Sequence, residues 1–157
     1  MKSAWILAAL LLAWALGSTT AGVYYYEEYD KNQRLTQDLK QKLGEVSLSV
    51  NIAIDYGNDT RAWFNGTVVP VGATVHNATI RVAVVEHDPQ FGASYIIAIN
   101  GVRENNNEKM SWMWWTWEQA ERKWILGPIA NNEYVLTDGQ TVIWYYENIS
   151  TWPPQSP

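Results

Sequence analysis

Residues 46–56 read VSLSVNIAIDY, and the apolar members Val46, Leu48, Val50, Ile52, Ile54 and Tyr56 fall on every second position. Ser47, Ser49, Asn51, Ala53 and Asp55 fill the places between them. A strand turns successive side chains to opposite faces, so this alternation predicts a β-strand buried on one face. After the polar residues 57–60, residues 61–69 return as a second strand, with Asn65-Gly66 supplying a bend or bulge.

Beyond this pair the period becomes ambiguous. Over residues 73–86, Val75, Val82 and Ala83 suit a helical face, whereas Thr79, Ile80, Val82, Val84 and Val85 are the β-branched residues that strands favour. Thr74, a good N-cap, tips the reading to helix. Residues 95–102, 110–117, 123–126 and 141–147 then read as strands, with Asp138-Gly139 as a turn. The expected fold is α+β, a small antiparallel sheet carrying one packed helix.

A family resemblance rests on NIAIDYG (51–57), PVGATV (70–75), YIIAINGV (95–102), MSWMWW (110–115), KWILGPI (123–129) and YVLTDGQTVIWYYE (134–147). Together these stretches resemble the transcobalamin-like C-terminal domain family over residues 46–147. The resemblance implies the small fold of the β-domain that closes over cobalamin in animal vitamin carriers. It also makes cobalamin or another corrinoid the ligand to consider, while the residues themselves ask for no cofactor. In those carriers a large helical barrel supplies the other half of the cage, and this chain is read without one.

The only long apolar run is at residues 4–26. About 20 helical residues at ~1.5 Å each cover the ~30 Å hydrocarbon core of a bilayer. Trp5 near one end and Tyr24, Tyr25, Tyr26 and Tyr29 at the other suit the two interfaces. Residues 1–26 are thus expected to be a signal anchor, a single transmembrane helix; a cleaved signal peptide, with Thr19 and Ala21 near its end, is the alternative. Positive charge does not set the orientation, because Lys31, Arg34, Lys40 and Lys42 follow the segment and outnumber Lys2. Four N-x-S/T sequons do favour one: Asn58, Asn65, Asn77 and Asn148 are expected glycosylation sites, which places residues 45–150 outside the cytoplasm of a single-pass cell-membrane protein.

Residues 27–44 read as a helical stalk. Glu27 and Lys31, Asp30 and Arg34, and Asp38 and Lys42 stand at the four-residue spacing that pairs charges, Leu35, Leu39 and Leu43 form a narrow apolar stripe, and Gly44 is the expected stop. The tail 151–157, with Pro153, Pro154 and Pro157, is expected to be disordered. The chain of 157 residues has no cysteine, so packing must hold the domain without disulfides. A net charge of -5 with no basic cluster argues against a nucleic-acid partner.

The candidate contact residues are aromatic. In residues 110–117, Met110, Trp112, Trp114 and Thr116 point one way and Ser111, Met113, Trp115 and Trp117 the other, so both faces are apolar. Residues 142–146 repeat the excess around Trp144. Either a second layer covers the second face, or it is a binding platform; on the latter reading Trp112, Trp114, Trp115, Trp117 and Trp144 are the ligand or partner residues, with Trp63 and Trp124 as neighbours. No catalytic set assembles. Glu86-His87-Asp88 diverge along the chain and His76 is expected about three helical turns from them, Ser111 has no evident base, and Asp55 and Asp59 read as turn residues. The sequence therefore describes a non-enzymatic interaction domain, an accessory subunit docking on other membrane or envelope proteins or, alternatively, a surface receptor for a flat ligand or glycan.

Overall fold

The computed structural model describes the backbone of residues 2–157 and the side chains of residues 22–157. Strand β1, Ser47–Asp55, is the one that the alternation at residues 46–56 foretells, and it lies inside a five-stranded sheet. Its antiparallel neighbour β2, Arg61–Pro70, slips register opposite Asn51, where Asn65-Gly66 forms the expected bulge and Gly66 takes φ +66°. On its other side lies β8, Thr141–Asn148, running parallel to it.

Beyond β8 come β6, Met110–Glu118, and then β7, Lys123–Leu126, both antiparallel pairings. The order is β2-β1-β8-β6-β7. The fold class is α+β, but the sheet is mixed, not antiparallel, because the chain crosses over between β1 and β8 before pairing them.

That crossover holds the ambiguous segment, and the structure divides it. Helix α2, Val75–Val82, starts at Thr74, whose hydroxyl accepts from the Asn77 N–H while the Asn77 side chain accepts from the Thr74 N–H. The two bonds satisfy donors that the first turn leaves open. The helix ends at Val82, and β3, Val85–Asp88, follows, so the β-branched residues Val84 and Val85 leave the helix. Residues 95–102 are not one strand either: β4, Gly92–Ile99, turns at Asn100-Gly101 into β5, Val102–Arg103. Both turn residues have positive φ, the Asn-Gly preference of a tight hairpin. β3, β4 and β5 make a second, antiparallel sheet.

The main core fills one face of the large sheet. Val50, Ile52 and Ile54 of β1, Trp112 and Trp114 of β6, and Val142 and Trp144 of β8 pack with Val75 and Ala78 of α2 and with Ile96 and Ile99 of β4. Two glycines permit close approaches here: a Cβ on Gly57, at φ +67°, would strike the Tyr146 carbonyl, and one on Gly127 would overlap the Trp114 indole.

Helix α1, Lys2–Val46, passes through Gly44, so that glycine is not the stop; the break into strand comes at Ser47. Asp30–Arg34 and Asp38–Lys42 pair at 2.9 Å each, and Leu35, Leu39 and Leu43 are exposed. The expected membrane anchor falls largely on side chains outside the described residues, and among the described residues no helix is long and apolar enough to cross a membrane. Residues 2–45 and 46–157 are separate units. In the tail, Pro154 is buried.

Candidate functional site

Four of the five expected contact tryptophans are interior. Trp112, Trp114 and Trp144 belong to the main core, and Trp115 is buried on the opposite face with Ala53 and Ile143. Their indole N–H groups are taken within the chain: Trp112 donates to the Val102 carbonyl at 2.8 Å, Trp114 to Ile129 at 3.2 Å, Trp115 to Glu147 Oε1 at 2.9 Å and Trp144 to Thr79 Oγ1 at 2.7 Å. A buried indole whose one donor is satisfied is a packing residue first. Trp112, Trp114 and Trp144 do line an inner cavity beside the exposed Trp152, but its volume is only about 220 Å³.

Trp117 is different. It is half-buried on the second face, and its ring meets that of Trp124 at 5.2 Å and 69°, an edge-to-face contact. Register explains what lies next to it. Asn51 pairs with Thr141, and Trp117 with Trp124, while the bulge brings Asn65 and Gly66 opposite Asn51. One row across the sheet thus reads asparagine, asparagine, threonine, tryptophan, tryptophan. The two middle strands carry short polar residues there, and the flanking strands carry Trp63 with Asn65 on one side and Trp117 with Trp124 on the other.

The result is a cleft of about 360 Å³ lined by Asn51, Trp63, Asn65, Trp117, Gln119, Trp124 and Thr141. Its floor is fixed: Asn51 Nδ2 donates to Thr141 Oγ1 at 3.3 Å, and Asn51 Oδ1 accepts from the Gly66 N–H at 3.1 Å. Its walls are open, with Trp63 45% exposed. Trp117 Nε1 donates to Gln119 Oε1 at 3.1 Å, which leaves Gln119 its amide nitrogen as a donor. Among the described residues no charged side chain lines the cleft. Of the expected contact residues only Trp117 belongs to it; Trp63 and Trp124 were legible as its neighbours, while the part of Asn51 and Thr141 depends on the β1/β8 pairing.

The remaining polar features stand apart. Glu147 is buried beside Trp115, with Oε2 unpartnered among the described residues, and burial pushes its carboxyl up to about 7 against the hydrogen bond from Trp115. His76 and His87, expected three turns apart, meet instead with their Nε2 atoms at 2.8 Å, because the helix stops at Val82 and β3 leads back past it. Burial, and then His87, hold His76 below the usual histidine range. The sequon residues Asn58, Asn65, Asn77 and Asn148 are all exposed. Asn77 is engaged in the α2 cap, and Asn148 Nδ2 donates to the Glu108 carbonyl at 2.9 Å.

No family model and no curated protein matches the chain. Among solved structures, haptocorrin in complex with Cbi aligns with a TM-score of 0.49 and 19% identity over 64% of this chain and 25% of that one. A provisionally assigned metal-binding protein from Ruminococcus gnavus ATCC 29149 aligns with a TM-score of 0.46 and 8% identity over 64% of this chain and 97% of that one.

Proposed function

We propose that the protein is a non-enzymatic binding domain, held outside the cytoplasm by its N-terminal segment, and that it takes a neutral carbohydrate in the Trp63–Trp117–Trp124 cleft. The observation that carries this reading is the lining: three partly open indoles, the amides of Asn51 and Gln119 and the Thr141 hydroxyl, beside the sequon residue Asn65 and with no charge among the described residues. Sugar rings present C–H faces that stack on indoles and hydroxyls that amides bind in pairs. A cleft of about 360 Å³ is at the small end of the ~300–1,000 Å³ of ligand sites, enough for one or two sugar rings and not for a corrinoid with its side chains.

The test is intrinsic fluorescence of the purified full-length protein. Neutral oligosaccharides are expected to shift the emission, and Trp117→Ala to weaken the response at least tenfold while the fold is retained. Corrinoids, which the family resemblance brings forward, form the second arm, corrected for absorbance. An emission unchanged by any neutral saccharide removes the carbohydrate reading; a corrinoid response that survives Trp117→Ala moves the site elsewhere.

The accessory-subunit reading keeps one supporting observation, the exposed stripe of Leu35, Leu39 and Leu43 on α1, spaced as a helix–helix seam is spaced. Native-membrane purification tests it. A stable companion lost on changing the three leucines to serine supports docking, and a free monomer opposes it.

A further inference from the structure

The chain has two histidines, and the fold sets them ring to ring. His76 sits in the first turn of α2, where its backbone N–H donates to the Asn131 carbonyl at 2.9 Å. His87 sits in β3, paired with Ile96 of β4. Both side chains are half-buried, on the side of the large sheet that α2 covers and away from the tryptophan cleft.

The Nε2 atoms are 2.8 Å apart while the ring centroids are 5.0 Å apart. The difference is close to the full reach of both rings from centroid to nitrogen, so the two lone-pair directions meet head on and not at an angle. With nothing between them, one Nε2–H donates to the other Nε2. The same arrangement is a pair of donors aimed along one line.

Coordination chemistry then narrows the ion. Zinc in a structural site takes four ligands and the hard divalent ions take six or more, with donors converging at an angle. Among the described residues no group of three or more His, Cys, Asp and Glu side chains converges. Two imidazoles in line suit an ion that prefers two ligands on one axis, and filled-shell monovalent copper and silver are such ions; imidazole is a ligand copper accepts readily.

We propose that His76 and His87 form a two-coordinate site for a monovalent ion of the Cu(I) class, held between the two Nε2 atoms. In the neutral pair the bridging proton passes to Nδ1 of its own ring, leaving both Nε2 lone pairs to the metal with no net loss of a proton and no change of oxidation state. Two collinear bonds of about 2 Å need the nitrogens about 4 Å apart. The rings therefore draw back by roughly 1 Å, which rotation of half-buried side chains supplies.

Silver ion, which needs no reductant, is the probe. It is titrated into the full-length protein in chloride-free buffer while the imidazole nitrogens are followed by NMR. One Ag+ per chain is expected to move the Nε2 resonances of both rings and to raise Tm. His76→Gln and His87→Gln are each expected to abolish the rise in Tm and to weaken binding at least tenfold. The imidazole signals decide the matter, because methionine sulfur also binds silver. Unmoved resonances, movement of one ring alone, unchanged affinity in both variants, or tighter binding of Zn2+ than of Ag+ at this pair would overturn the proposal. Should both variants misfold, the wild-type resonances with Ag+ and with Zn2+ still decide, since the proposal requires both rings to move and Ag+ to bind the pair more tightly.

Discussion

On one face of the five-stranded sheet, Val50, Ile52, Ile54, Trp112, Trp114, Val142 and Trp144 lie under α2 and the smaller sheet; on the other, Ala53, Trp115 and Ile143 are buried with only Met113, Trp124, Leu126 and Tyr145 packed around them. The strands are the same, and so is the richness in aromatic residues. What differs is the layer above. The covered face uses its indoles as filler, each with its N–H satisfied inward, whereas the other leaves Trp117, Trp124 and Trp63 partly in solvent around a polar floor. Among the described residues, what separates the two faces is the second layer over the indoles and not the aromatic content of the strands.

The largest effect expected from this contrast is Trp144→Ala. Removing a fully buried indole costs about 3–5 kcal/mol, and it also takes away the N–H that Thr79 Oγ1 accepts at 2.7 Å, leaving that hydroxyl only its bond to the Val75 carbonyl. Urea unfolding measures the loss, and a cost no greater than that of Trp124→Ala would erase the distinction between the faces.

Glu147 probes the boundary of the thinner face. Its carboxyl is raised from 4.5 to about 7 by burial, so the folded state binds the proton more tightly than the unfolded one. Stability is then full below about pH 4.5, falls as pH rises through the window to about 7, and is level above it. The loss is at most about 3.5 kcal/mol at ~1.4 kcal/mol per pKa unit. Glu147→Gln keeps an acceptor for the Trp115 N–H and is expected to flatten this slope. The comparison with this variant isolates Glu147 from His76, whose lowered pKa adds stability as pH rises; a wild-type stability that rises relative to Glu147→Gln across the same window would reverse the sign and with it the claim that the carboxyl is dry.

Next is Gly127→Ala. A methyl there overlaps the Trp114 indole, which the main core holds on its far side. Overpacking of this kind costs about 1–3 kcal/mol. A neutral result would mean that Trp114 can shift, and that the inner cavity beside it is softer than its lining suggests.

How far the sequence told these faces apart depends on the residue. Alternation at residues 46–56 and 110–117 located β1 and β6, Asn65-Gly66 located the bulge, and Thr74 located the start of α2, because each is a local signal. Asn100-Gly101 carried an equally local turn signal inside what reads as one apolar strand. The β1/β8 pairing was not legible, since it joins residues about 90 positions apart and no local pattern encodes a partner. The cleft depends on that pairing, which sets Asn51 beside Thr141. Which tryptophans would be covered was hidden for the same reason: with both faces of β6 aromatic, burial is decided by what crosses over them. The approach of His87 to His76 follows from where α2 stops, a boundary that the β-branched residues Val82, Val84 and Val85 left open.

The smallest change in stability is expected at Trp124, and it is the most informative about the cleft. Trp124 is half-buried on β7, the short edge strand, and meets Trp117 edge to face. An aromatic pair of this kind contributes about 0.5–1.5 kcal/mol beyond burial, and an exposed site lets water replace part of what the indole covered. Trp124→Ala is therefore expected to cost roughly 1 kcal/mol, well below Trp144→Ala, while removing one wall of the cleft. If Trp117 and Trp124 act together on a ligand, their single substitutions and the double substitution lose similar affinity, since either change opens the same wall. If they contribute only separate apolar area, the losses add. A double-mutant cycle on saccharide binding distinguishes the two. Additive losses with large unfolding costs would place Trp124 with the interior tryptophans and leave the second face without a site.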